Sequence, residues 1–425
     1  MKYSLRSLLN LNILMAFRFH RIVFECLSGR FLESLVSRLL LLNIAALFFV
    51  VTLFLLIPVL PIYLYRDLGA SEQEVGLIIP LAFLVSAFLR IPCSLMIRRN
   101  IFGVLLLGLA LNAAAIAGYG GSWSPFPFAV FRAIHGIAIA INYTLLLTVV
   151  ELLADPREME RFVASYTAAL ALGFWVGPSI GVLLRKFAEL RSVMFATSGI
   201  GLISVFAAIL LTRSLRKQSA AGLFEIERLS IGSILKAPNI LLASAYLAFS
   251  FAPGAIMAYG PLKAKLEFGL SDQLVIIFFL LYYVTAFMVR IILLRSTVIR
   301  RIGLGRLLEL SLLSSFLGVL VIGLSRDLIL FGLGLVSAGL AHGFIFPLTA
   351  SAVAHATPIK FRVLGNSFHL TAFDIGFLLG SSSVSLLLGF MPLSSSIAAI
   401  CLIPVLGLIP VRLFSRLEAS YSGKR

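Results

Sequence analysis

Leu39–Tyr65 reads LLLLNIAALFFVVTLFLLIPVLPIYLY, 27 residues without a charge. About 20 apolar residues suffice for a helix to cross the ~30 Å hydrocarbon core of a bilayer. In lipid, each backbone N–H and C=O must bond within its own segment, so the stretch is read as helix. No period-2 alternation runs through it, which excludes a barrel strand. The same reading extends along the chain. Phe162–Leu184, Ser192–Thr212 and Ala237–Leu262 are also free of charge. Twelve spans are predicted, near 39–65, 75–96, 101–119, 128–150, 162–184, 192–212, 239–260, 273–294, 305–324, 328–351, 364–388 and 394–411.

Composition agrees: 60% of the 425 residues are hydrophobic and 12% are charged. A soluble domain carries about 25% charged residues. A net charge of +17 would suggest nucleic acid in a soluble protein, but here the distribution explains it. Of 35 Lys and Arg, 25 fall on the side of the chain ends, 7 on the other side and 3 inside spans. By the positive-inside rule both termini are expected in the cytosol, in a plasma or inner membrane. Cys26, Cys93 and Cys401 are too few and too scattered for a disulfide framework or a metal cluster. Residues 1–38 form a basic N-terminal segment, read as a helix on the inner leaflet or as the product of a start placed too far upstream. There is no Gly-x-x-x-x-Gly-Lys-Ser/Thr loop, so any energy is expected from an ion gradient rather than ATP.

The spans fall into two sets of six, 39–212 and 239–414, divided by a cytoplasmic loop at 213–238 and followed by a tail at 415–425. The sets echo one another. Arg90 closes the second span and Arg290 the eighth; His135-Gly136 in the fourth matches His342-Gly343 in the tenth; Gly173 and Gly177 in the fifth match Gly376 and Gly380 in the eleventh. The offsets are 200, 207 and 203 residues. Parallel repeats of this kind place a solute site at the midplane between halves that rock against each other.

In the fifth span, Gly173-Phe-Trp-Val-Gly177-Pro178-Ser-Ile-Gly181 puts glycines on one helical face, where another backbone can approach, and Pro178 removes one backbone donor. Plain packing would explain the glycines alone. The full arrangement resembles the fifth-helix signature of the antiporter branch of the major facilitator superfamily. Arg132-Ala-Ile-His-Gly136 resembles that family's fourth-helix motif, and Pro61–Tyr65 with Leu68-Gly69-Ala70-Ser71 resembles its first external loop. The resemblance covers roughly 39–414. It implies an all-α fold of twelve transmembrane helices in two pseudo-symmetric six-helix bundles, and proton-coupled efflux. One stretch departs from the pattern. Where the family carries an acidic Gly-x-x-x-Asp-Arg-x-Gly-Arg loop, this chain has Ser94-Leu-Met-Ile-Arg98-Arg99-Asn100, so the family's cytoplasmic latch is incomplete.

Ionisable groups inside spans are costly and therefore informative. Asp374 is the only acid well inside a span. It is read as a proton carrier or the anchor of a cationic substrate group, against a structural ion pair between helices. Arg132 is read as holding an anionic group, tuning a protonating neighbour, or bonding backbone carbonyls. His135, His342 and His369 could relay protons or simply pack, with His135 and His342 favoured by their matched places. Arg90 and Arg290 lie near cytoplasmic helix ends and are expected to snorkel to the interface. Tyr246 is the candidate cavity residue among the tyrosines of the seventh and eighth spans, and Pro253-Gly254 is expected to break the seventh helix. His369 and Asp374, five residues apart, point about 140° apart on a helix and do not form a local dyad.

The sequence is thus read as a membrane transporter rather than an enzyme. A lipid-modifying enzyme would need an acidic or His-rich cluster at a membrane surface, and the stretch Glu151–Glu160 carries its acids interleaved with Arg157. The expected partners are a small-molecule substrate, protons and the lipid bilayer, with the chain acting as a monomer and without nucleic acid or cofactor. Uptake or uniport without protons is the alternative that the shortage of buried acids favours.

Overall fold

A computed structural model describes residues 35–96, 100–153, 159–216, 235–293, 297–358 and 361–422. Most of the basic N-terminal segment, Arg98 and Arg99, residues 154–158, the central loop over 217–234 and the last three residues lie outside the described residues.

Among the described residues there is no strand, and twelve helices are long and apolar enough to span a membrane. In chain order they are α1 (Leu35–Leu56), α2 (Glu72–Ile78 and Leu81–Met96, joined at Pro80), α3 (Ile101–Gly121), α4 (Pro125–Leu153), α5 (Met159–Phe187), α6 (Leu190–Arg216), α7 (Ala237–Leu266), α8 (Asp272–Leu293), α9 (Leu304–Leu324), α10 (Leu328–Ala356), α11 (Arg362–Leu387) and α12 (Leu393–Ala399, Ile403–Leu406 and Leu408–Ser422). Twelve alternating spans bring the start of α1 and the end of α12 to one face, called here the terminal face; the opposite one is the far face.

Local chemistry sets the boundaries. α1 stops at Leu56 rather than running to Tyr65, because Pro58 and Pro61 remove two donors in succession. The chain continues as a short helix, Leu60–Ile62, and a wide turn, Tyr63–Asp67. Ser71 and Glu74 form a capping box that starts α2. Two expectations are corrected. α7 is continuous through Pro253-Gly254, because Gly254 lies flat against the backbone of Phe377 on α11, and that packing holds the helix together across the lost hydrogen bond. α12 continues to Ser422, past the expected boundary at 414, with Val411 and Phe414 buried on one face and Arg412 and Arg416 exposed on the other.

Packing repeats across the halves. α1 packs on α5 as α7 packs on α11; α2 on α4 as α8 on α10; α3 on α6 as α9 on α12. The matched glycines make these contacts. A Cβ on Gly177 would stand 2.7 Å from Val51 O, and one on Gly380 2.1 Å from Phe251 O. Gly136 and Gly343 repeat the pattern against Ala82 O and Ala286 O, at 2.4 and 2.9 Å. The two halves then meet along two helix pairs, α2 with α11 and α5 with α8. Under the repeat these pairs exchange with each other, so residues at both seams can be compared position by position.

Candidate functional site: the seam between the halves

The α2–α11 seam carries an ion pair. Arg90 Nη2 lies 2.7 Å and Nε 3.0 Å from Asp374 Oδ2, and both side chains are 2% exposed. Ser86, one turn before Arg90, donates to the same oxygen at 2.8 Å and accepts from Arg90 Nη2 at 2.9 Å. Asp374 lies 12 residues into α11, or about 18 Å at 1.5 Å per residue, which is mid-membrane. The snorkelling expected of Arg90 is therefore corrected. Helical Cα–Cβ bonds tilt toward the helix N-terminus, and α2 starts at the far face. The side chain of Arg90 is aimed up the bundle, toward Ser86 and Asp374, not down toward the terminal face.

Arg290, its counterpart on α8, is turned inward for the same reason, so its snorkelling is corrected as well. Its guanidinium carbon lies 4.3 Å from the Phe174 ring centroid of α5 and 5.7 Å from that of Phe346 on α10. Nε and Nη2 are buried without a hydrogen-bond partner. The Tyr246 ring lies 6.2 Å from that of Phe346 on the same side. His342 Nδ1 and Tyr282 Oη are 2.6 Å apart. Tyr246 stacks on His369 at 4.3 Å, and His369 Nε2 bonds Thr349 at 3.0 Å. His369 and Asp374 thus have separate partners.

Arg132 and His135 sit in another place, inside the N-terminal half. Arg132 donates from Nε and Nη2 to Ile79 O of α2 and from Nη1 to Tyr119 Oη of α3. His135 Nδ1 is 2.6 Å from Tyr119 Oη and its Nε2 2.9 Å from Asn112 Oδ1; Asn112 Nδ2 donates to Thr52, which donates to Phe49 O. The direction of this chain is fixed from its ends, since a carbonyl only accepts and a guanidinium only donates. His135 then donates from Nε2, and Tyr119, which accepts from Arg132, has its own proton to give to Nδ1. His135 thus sits, with both ring nitrogens bonded, within a link between α1, α3 and α4.

Of the five residues singled out for substrate or proton binding, Asp374 pairs with Arg90 at the α2–α11 seam, Tyr246 and His342 lie among the aromatic rings near Arg290, and Arg132 and His135 form a separate group. Arg290, stacked against Phe174 and Phe346, was not singled out. The matched offsets of Arg90 and Arg290 were the available signal, obscured by the snorkelling rule. Toward the terminal face, a narrow cleft opens between Tyr143, Thr144 and Thr148 of α4 and Asn366, Ser367 and Leu370 of α11. Thr144 Oγ1 and Ser367 Oγ lie there without hydrogen-bond partners.

The far face is closed. Asp272, 3% exposed at the start of α8, accepts from Arg66 and Arg185 of the first half and from Lys265 of its own. Ser381 donates to Gly76 O and Ser385 to Gln73 O, each at 2.8 Å, tying α11 to the far end of α2. Among bonds between described residues, those that join the halves lie at the far face or mid-membrane.

Residues 42–381 match the sequence model of the Major Facilitator Superfamily. No curated protein matches the chain. Solved structures with the same fold include the nucleoside transporter NupG (TM-score 0.64, 14% identity, 89% of this chain and 98% of that one). A bacterial homolog of the human lysosomal transporter Spinster, in an inward-facing and occupied conformation, has a TM-score of 0.68 at 14% identity, over 89% of this chain and 96% of that one. The human organic anion transporter MFSD10 gives 0.62 at 17% identity, over 88% and 98%.

Proposed function

The chain belongs to the major facilitator superfamily, and from that membership we propose that it is a proton-coupled exporter of a small organic solute that works by alternating access. The observation that carries this reading is the Arg90–Asp374 pair: a buried acid and base drawn from opposite halves, at the depth where a solute would bind. Export is supported by the glycine–proline signature of α5, and the organic nature of the solute by the nucleoside and organic anion transporters that share the fold. The basic terminal face is assigned to the cytosol.

The proposed coupling follows from charge. An ionised Asp374 holds Arg90 and with it the α2–α11 seam. A protonated Asp374 keeps hydrogen-bonding capacity but loses its charge, and with it the Coulombic attraction to Arg90, which is strong at a buried, low-dielectric site. The two helices that carry the pair also carry the far-face bonds Ser381–Gly76 and Ser385–Gln73. Weakening the seam at its middle therefore favours opening at that end.

The test is flux in proteoliposomes holding a pH dye, with solutes chosen by comparing the metabolites and drug sensitivity of cells with and without the gene. Solute movement should change the internal pH, and Asp374→Asn should abolish that change. Transport by Asp374→Asn at the parent rate and with the parent pH dependence overturns the reading. Solute flux with no pH change would favour uniport, the reading supported by the lack of any acid in the α1 span.

A further inference from the structure

The repeat relates the two seams residue by residue. Asp374-Ile-Gly376-Phe377-Leu-Leu-Gly380 on α11 aligns with Ala171-Leu-Gly173-Phe174-Trp-Val-Gly177 on α5 at the offset of 203 residues. Arg90 on α2 aligns with Arg290 on α8. At one seam the arginine meets an acid. At the other, the position equivalent to Asp374 is Ala171, buried at 6% exposure. Phe174, three residues further along the same face of α5, lies against the Arg290 guanidinium, so this face of α5 is the one presented to Arg290.

The guanidinium edges correspond too. Arg90 uses Nε and Nη2 to hold the Asp374 carboxylate. On Arg290, Nε and Nη2 are the atoms that are buried and without a partner. This edge of a guanidinium matches the two oxygens of a carboxylate. The aromatic rings offset part of the cost of burying the charge, and no ion pair to Arg290 occurs among the described residues. What surrounds it is flat and aromatic, with Tyr246 beyond Phe346 and His342 beside Phe174. Tyr143 lines the cleft on the terminal side.

We propose that Arg290 is the anchor for the carboxylate of a planar organic anion, whose apolar body lies among Phe174, Phe346 and Tyr246, and which takes the place that Asp374 fills at the other seam. This rests on the reading of the chain as a transporter with its site between the halves, and it names the class of solute.

Binding tests it separately from transport. The full-length protein in detergent is titrated calorimetrically with 2-naphthoate, neutral 2-naphthamide and cationic 2-naphthylmethylammonium. The anion alone should bind. Arg290→Gln should weaken it on the order of a hundredfold, since two charge-assisted hydrogen bonds are lost, and Arg290→Lys should weaken it less. Ala171→Asp should weaken it as Arg290→Gln does while leaving the unfolding temperature unchanged or raised, because it supplies Arg290 with an internal acid. Equal binding of naphthoate and naphthamide, absence of saturable naphthoate binding, or parent-like binding by a folded Arg290→Gln, Arg290→Lys or Ala171→Asp protein overturns the proposal. Arg290-dependent binding without naphthoate flux or pH change would instead count against the proposed transport cycle.

Discussion

Replacing Asp374 by Asn isolates the seam pair. Arg90 and Asp374 are each 2% exposed, so solvent screening does not dilute their interaction. Asp374 Oδ2 accepts from Ser86 Oγ, Arg90 Nε and Arg90 Nη2 at 2.8, 3.0 and 2.7 Å. Removing one partner of a buried pair costs about 3–5 kcal/mol, because the other charge is left uncompensated. Asn keeps an acceptor oxygen for Arg90, which places Asp374→Asn near the lower end, at about 3 kcal/mol. Replacing both residues by apolar ones of similar size, Arg90→Met with Asp374→Leu, removes the uncompensated charge and should return stability to within about 1 kcal/mol of the parent or above it. The assay is a double-mutant cycle on the unfolding of the purified protein in detergent, with Arg90→Met and Asp374→Leu as the single variants. Strong coupling, with the double variant more stable than the single ones, is expected. Additive losses would show that the two side chains do not depend on each other and would refute the reasoning.

Three further outcomes follow from the same packing and bonding. Gly380→Ala puts a Cβ 2.1 Å from Phe251 O and should cost about 1–3 kcal/mol in thermal unfolding, whereas Gly181→Ala, whose nearest neighbour would be 3.5 Å away, should be nearly neutral. His135→Phe leaves Tyr119 and Asn112 without their partner and should cost about 1–3 kcal/mol for each group stranded, with no change in the pH dependence of transport. Asp272→Asn removes the acid shared by Arg66, Arg185 and Lys265, so a cysteine introduced by Ser385→Cys should react faster with a water-soluble maleimide than in the parent background.

The twelve spans were legible because hydropathy and length are set locally by the demand that backbone groups in lipid bond within their own segment. The two-half arrangement was legible because glycine contacts recur at fixed offsets, and Gly177 and Gly380 do press on equivalent helices. Helix interruptions were less so. Pro58 and Pro61 stop α1 by removing two donors in succession, yet the one donor lost at Pro253 leaves α7 intact, where Gly254 lies against the backbone of Phe377. The partner of Asp374 could not be found locally, since Arg90 lies 284 residues away in the other half. The snorkelling rule misled because it considers how near a residue is to a helix end and ignores the tilt of its Cβ. For α2 and α8, which both begin at the far face, that tilt sends the arginines inward.

The most direct measurement needs no substrate. In a background with Cys26, Cys93 and Cys401 replaced by Ser, spin labels are placed on the far face, one in each half, by Glu74→Cys and Phe390→Cys, both at exposed positions. Distances are then read by double electron–electron resonance in nanodiscs between pH 8 and pH 5. The account predicts one short distance at high pH, a second and longer population that grows as pH falls, and a distribution that no longer responds to pH in Asp374→Asn. A single distance at every pH, or a pH response that survives in Asp374→Asn, would contradict it.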